Sequence, residues 1–202
     1  MRVLISVLLA FYATLGLAAD QQTFMPENNL HLQDNINANA DIDEAMFNAI
    51  IDSVSAVYAS VIDGHGKSLL MEKKWNDSTV NAFASQSGNT WKVAMFGGLA
   101  RRVETTPDGF ALVVCHELGH HLAGFAFYGD TDWAASEGQS DYFATQACAK
   151  QIWKDTPTEN AASRATVEPV AKAACDSVWS SEDEQNLCYR SAMGGASLAR
   201  LL

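Results

Sequence analysis

His116-Glu117-Leu118-Gly119-His120 is the stretch of this chain whose residue types and spacing could do chemistry. On a helix, residues four apart share a face. Two imidazoles at that spacing can hold one Zn2+ at about 2.0–2.1 Å each. Glu117, one residue on from His116, projects beside such an ion, where it can contact an activated water. One helical turn thus supplies two ligands and a general base. A catalytic zinc takes three protein ligands and keeps a position open, so a third donor must come from elsewhere. Position 126 is Ala, which removes a third His six residues after His120. Glu137, opening Glu137-Gly138-Gln139-Ser140-Asp141, is the preferred third ligand. Asp141 follows one turn later on the same face and can accept a hydrogen bond from the ring N–H of a zinc-bound His, fixing its tautomer. Asp130 and Asp132 compete for the ligand role, but they bring no such partner and read better as caps for the next helix. His121 lies about 100° round the helix from His120 and reads as a packed neighbour. His31 and His65 read as ordinary surface residues.

These residues need two helices beside a supporting layer. Thr106-Pro107-Asp108 is a helix start: a capping hydroxyl, Pro in the first turn and an acid beside it. That helix stops near Gly124. A second runs from about Ala135 to Trp153, ended by Asp155 and Pro157. Upstream, Ile42, Met46, Ile50, Val54, Val57 and Val61 recur at spacings of three and four, the pattern of an amphipathic helix closed by Gly64. Between them, Leu69, Met71 and Trp75 alternate with polar residues, then Val80, Ala82 and Ala84, then Trp91, Val93 and Met95. Asn76-Asp77 and Ser87-Gly88-Asn89 separate the runs, which predicts three short antiparallel strands. Thr90 to Phe96 is the expected sheet edge, open to an extended peptide by strand addition. Two more helices are expected over 160–178 and 183–202. Tyr189 and Arg190 in that tail are candidates to stabilise an oxyanion.

The 202 residues are 48% hydrophobic and 18% charged, enough to build a core in one domain or two small ones. Their formal net charge of −11 argues against nucleic acid and anionic membrane surfaces as main partners. Met1-Arg2, an apolar run from Val3 to Ala19 and a small-residue end describe a signal peptide over 1–19, cut after Ala18 or Ala19. The run is shorter than the ~20 residues that span a bilayer comfortably. The expectation is an exported, periplasmic or secreted protein without stable membrane insertion after cleavage. Residues 20–40, polar and rich in Asn and Gln, read as a flexible leader. Export makes disulfides of the four cysteines possible. Cys175–Cys188 is the expected pair, and Cys115 reads as a buried thiol.

Val80-Asn81-Ala82-Phe83-Ala84, the strand ending in Gly97-Gly98-Leu99, the His116–His120 motif and Glu137-x-x-x-Asp141-Tyr142-Phe143-Ala144 occur in one order. In that order they resemble the HtpX-like and CAAX-prenyl-protease-like gluzincin metallopeptidases, over about residues 42–150. The resemblance implies an α+β minimal gluzincin domain, mostly helical, with a small antiparallel sheet beside the active-site helix. The zinc metallopeptidase domain is placed over 41–156; residues 157–202, which have no counterpart in that family, read as a helical C-terminal extension with cysteines. The resemblance also implies zinc-dependent endopeptidase action on peptides or unfolded proteins, with His116, His120 and Glu137 as ligands and Glu117 as the acid/base. The alternative is a non-catalytic zinc-binding chaperone or assembly factor of the cell envelope, which would not need Glu117. A third reading makes the motif accidental and the chain an exported helical binding domain.

Overall fold

The computed structural model describes residues 22–32 and 41–201. The expected signal peptide over 1–19 and residues 33–40 of the expected leader lie outside the described residues. In chain order the elements are β1 (Gln22–Thr23), α1 (Glu44–Gly64), β2 (Ser68–Lys74), β3 (Ala82–Ser87), β4 (Thr90–Phe96) and α2 (Gly97–Ala100). They continue with α3 (Pro107–Leu122), then α4 (Glu137–Tyr142), which passes through a π-helical segment, Phe143–Cys148, into α5 (Ala149–Trp153). The tail holds α6 (Pro157–Ala162), α7 (Pro169–Val178) and α8 (Glu182–Ala199). The result is an α+β domain, as expected.

Helix α1 starts where Asp43 accepts a hydrogen bond from the Met46 N–H at 2.7 Å, satisfying one of the orphan donors of the first turn. The stripe it buries is Phe47, Ile51, Val54, Tyr58 and Ile62. The expected face holds in part: Ile42 and Val54 are buried, but Met46, Val57 and Val61 are exposed. Two neighbouring stripes of this helix are apolar, and period alone does not choose between them. The stripe with Phe47 and Tyr58 removes more apolar area from water, and burial at about 25 cal/mol per Å² decides. Among the described residues α1 is also long and apolar enough to cross a membrane, judged by length and composition alone.

The sheet is mixed, in the order β1-β3-β4-β2, where an antiparallel one was expected. The β3–β4 hairpin turns at Gly88, whose φ of 58° suits the left-handed corner. Strands β2 and β4 pair in parallel, from Ser68↔Thr90 to Lys74↔Phe96. Asn76-Asp77 is not a hairpin turn. Asp77 takes hydrogen bonds from the Thr79 N–H at 2.9 Å and hydroxyl at 2.7 Å, and the chain steps across a gap one strand wide that β4 then fills. Strand β4 is therefore interior with both ladders occupied, and the expectation of an edge at Thr90–Phe96 is corrected. The expected flexible leader is likewise docked over residues 22–32. Strand β1 pairs antiparallel with β3 through Gln22↔Ala84 and Thr23↔Phe83. Further on, the Leu32 carbonyl accepts from the fully buried Arg101 guanidinium at 2.8 and 3.1 Å. Strand pairing uses backbone groups, so a polar composition did not reveal it.

Helix α3 begins as expected: Thr106 caps the Gly109 N–H at 3.1 Å, with Pro107 in the first turn. It is buried on every side from Gly109 to His121, between the sheet and α1 on one flank and α8 on the other. Arg190 of α8 donates to Asp108 at 2.7 and 2.9 Å, beside the first turn of α3. Two disulfides close the structure. Cys175–Cys188 joins α7 to α8 as expected. Cys115 is not a free thiol: it bonds Cys148 across 33 residues and ties α3 to the π-helical segment.

Candidate metal centre

His116 and His120 leave α3 one turn apart, and their rings meet edge to face at 4.8 Å. Glu137 stands at the first position of α4. One ligating atom from each of these three side chains lies within 4.8 Å of the other two. The Nε2 of His116 is 3.0 Å and that of His120 is 3.8 Å from the Glu137 carboxylate. Asp130 and Asp132 belong to no such group among the described residues.

Each imidazole is oriented through its other nitrogen. His116 Nδ1 lies 2.9 Å from Asp141 Oδ1. His120 Nδ1 lies 2.8 Å from the Ala135 carbonyl and 3.1 Å from Ser140 Oγ. A proton on Nδ1, donated to the carboxylate or carbonyl, leaves the Nε2 lone pair free. Both Nε2 atoms are buried and make no well-aligned hydrogen bond; the group each faces is the Glu137 carboxylate. Buried polar atoms are rarely left so, and two of them facing one carboxylate fit a cation.

Helix contact sets the spacing of these groups. A Cβ on Gly119 would stand 2.9 Å from Ser140 Cα, closer than real Cβ atoms come. With Gly at 119, α4 lies directly on α3, so Glu137, Ser140 and Asp141 reach the two rings. The loop between the helices is fixed from the same side: the Ala135 N–H donates to the His120 carbonyl at 2.8 Å.

Glu117 points into the same space. It is fully buried, and neither carboxylate oxygen has a hydrogen-bond partner. Burial pushes its carboxyl up to about 8, with His116 pulling it down and the neighbouring Glu137 charge adding to the rise. Burial would lower His116, but Asp141 and Glu137 outweigh it and bring the imidazole up to about 9. His120 is held below its ordinary value by burial and then by His116.

His121 is packed, as expected. It is stacked between Trp91 at 5.0 Å and Trp133 at 5.1 Å, with Nε2 3.2 Å from the Lys92 carbonyl. Burial lowers it to about 4, so it stays neutral and fastens α3 to β4. Tyr189 and Arg190 are not at the centre. The Tyr189 hydroxyl donates to Asp176, and Arg190 is spent on Asp108, Thr156 and Asn160. Sequence reasoning missed Ser140, the Ala135 carbonyl and Phe24, whose ring stands edge-on to His116 at 5.4 Å. Ser140 sits within the Glu137–Asp141 turn and was open to the same spacing argument. Phe24 carried no signal, because a distant strand brings it in.

Residues 46–130 match the family model of Peptidase family M48. This is a gluzincin metallopeptidase family, in keeping with the HtpX-like resemblance. The matched stretch holds α1 from Met46 on, the hairpin and the whole His116–His120 motif. It ends before Glu137, so the third member of the cluster rests on the geometry above. Comparison with curated proteins and with solved structures gave no match.

Proposed function

We propose that this protein is an exported zinc-dependent endopeptidase acting on peptides or unfolded proteins. The observation that carries the reading is the pair of buried Nε2 atoms facing Glu137, with the buried Glu117 carboxylate beside them. The Peptidase family M48 match over the same helix supports metallopeptidase chemistry. Two imidazoles and one carboxylate are a catalytic zinc donor set, with the fourth position left to water or substrate. A bound zinc ion supplies Lewis-acid activation of water and of the scissile carbonyl.

The rest is the work of this chain. His116, His120 and Glu137 hold the ion. Asp141, Ser140 and the Ala135 carbonyl keep each Nδ1 protonated and each Nε2 directed inward. Glu117 takes the proton of the attacking water and returns it to the amine nitrogen as the C–N bond breaks. A purely structural zinc site has four protein ligands and no use for an unpartnered buried carboxylate, which disfavours a non-catalytic chaperone. The export part of the reading stands on the Met1–Ala19 pattern and is consistent with two disulfides.

The test compares wild type with Glu117→Gln, which keeps side-chain size and removes the base. Zinc stoichiometry is expected to stay the same, while cleavage of unfolded casein falls at least ~100-fold. His120→Ala is expected to lose both metal and activity. Equal cleavage by wild type and Glu117→Gln overturns the mechanism. Loss of zinc in Glu117→Gln means that the ligands are misassigned.

A further inference from the structure

Strand β3 packs against α3, and the chain's own N-terminal segment lies along its outer side. Three observations set the segment there. Its backbone pairs antiparallel through Gln22↔Ala84 and Thr23↔Phe83, and the Phe24 N–H donates to the Ala82 carbonyl at 3.0 Å. Its Phe24 ring stands edge-on to His116 at 5.4 Å. Asn81 then grips Met25 at both backbone atoms: the Met25 N–H donates to Oδ1 at 2.9 Å, and Nδ2 donates to the Met25 carbonyl at 3.1 Å. Met25 is 6% exposed. With the segment in place, Glu117 and His120 are 0% exposed and His116 is 3%. A centre that cleaves peptides must admit one; here His116, Glu117 and His120 are buried with the segment in place, while Glu137 stays 41% exposed on the side of α4.

We propose that Gln22–Met25 is a resident occupant of the peptide-binding track along β3, and that its release opens the site. The inference rests on the peptidase reading above. The track takes an extended peptide by strand addition, with an aromatic side chain at the Phe24 place against His116 and an apolar one at the Met25 place. The hold on Gln22–Met25 itself is short: one two-residue ladder, one further backbone bond and the Asn81 grip, with the chain fastened again at Leu30 and Leu32. Such a strand is displaceable, and a competing peptide binds with its affinity reduced by the fraction of time the track is free.

The test uses the full chain and two substitutions outside the metal-binding set. Phe24→Pro removes the N–H that donates to Ala82, and Phe24→Ala removes the ring from His116 but keeps the backbone. The first readout needs no metal: the rate at which diethyl pyrocarbonate modifies His116 and His120 in the metal-free protein, followed by mass spectrometry. Modification is expected to be slow in wild type, about tenfold faster in Phe24→Pro and about threefold faster in Phe24→Ala, from the loss of one or two modest interactions. A synthetic peptide of residues 22–28 added to Phe24→Pro is expected to restore slow modification. The second readout is casein cleavage by the zinc-loaded protein, expected to rise about tenfold in Phe24→Pro and to fall again with the same peptide. Equal modification rates in wild type and Phe24→Ala overturn the proposal, as does failure of the peptide to protect Phe24→Pro while it keeps wild-type circular dichroism. Faster modification without casein cleavage by any form leaves the occupant in place and overturns the peptidase reading instead.

Discussion

Asp141 touches no atom that a substrate would meet, yet it sets which nitrogen of His116 carries the proton. Its Oδ1 lies 2.9 Å from Nδ1. Asp141→Asn keeps the size and removes the charge that favours a protonated Nδ1. Partners of ligand imidazoles typically contribute 10- to 100-fold in metal affinity. On the zinc reading, competition with a chelator is expected to show affinity falling by about that factor in Asp141→Asn. Unfolding should change little, because Asp141 is mostly exposed. An unchanged zinc affinity would mean that the contact is incidental. His120 is secured differently, by the Ala135 carbonyl and the Ser140 hydroxyl, so the two imidazoles depend on separate supports.

At the scale of elements, the centre is a contact between α3 and α4. Gly119→Ala places a methyl 2.9 Å from Ser140 Cα and 3.1 Å from the Ser140 carbonyl oxygen. Neither is the yielding end of a flexible side chain, so α4 must move. Overpacking of this kind costs about 1–3 kcal/mol, and it moves Glu137 and Asp141 together. The expected outcome is a lower thermal midpoint together with weaker zinc binding; loss of neither means that the helices adjust freely. The Cys115–Cys148 bond acts on the same pair of helices from the residue before His116. Closing a 33-residue loop removes about 4 kcal/mol of unfolded-chain entropy in the loop-closure treatment. The double variant Cys115→Ala/Cys148→Ala is expected to unfold at markedly lower urea than wild type, whereas removing Cys175–Cys188, with its 13-residue span, should cost less. The reverse order would place the main constraint in the tail.

For the molecule as a whole, the tail completes the core that surrounds α3. Helix α8 covers the side of α3 away from the sheet, where Ser197 Oγ takes a hydrogen bond from Thr106 at 3.1 Å. Arg190, stacked over Trp153 at 4.4 Å, bonds Asp108, Thr156 and Asn160 at once. Charge-assisted hydrogen bonds at part-buried sites contribute about 1.5–3 kcal/mol each. Arg190→Ala is expected to cost about 2–4 kcal/mol overall, since Asp108 regains some solvent. It should shift one shared unfolding transition, read alike by tryptophan fluorescence and by circular dichroism. Separate transitions would show that the tail folds apart from the rest.

The local arguments succeeded where a short stretch of chain decides. The i, i+4 spacing in α3, the Thr106-Pro107 start, the Gly88 turn, the Glu137–Asp141 turn and the Cys175–Cys188 link depend on neighbours in sequence, and the chain by itself determined them. Tertiary structure decided what depends on competition between distant groups. Two apolar stripes of α1 were available, and the larger aromatic area selected the buried one. Strand β4 took the gap between β2 and β3, a parallel pairing of β2 with β4 between segments that are not neighbours in sequence. The link between Cys115 and Cys148 needed α3 and the π-helical segment to be in contact. Strand β1 had no pattern to announce it, since its hold on β3 is made by backbone atoms and by Asn81, 56 residues away from Met25. Spacing along a helix placed His116, Glu117 and His120 side by side; the packing of α4 against that helix brought Glu137 to them, and β1 set Phe24 against His116.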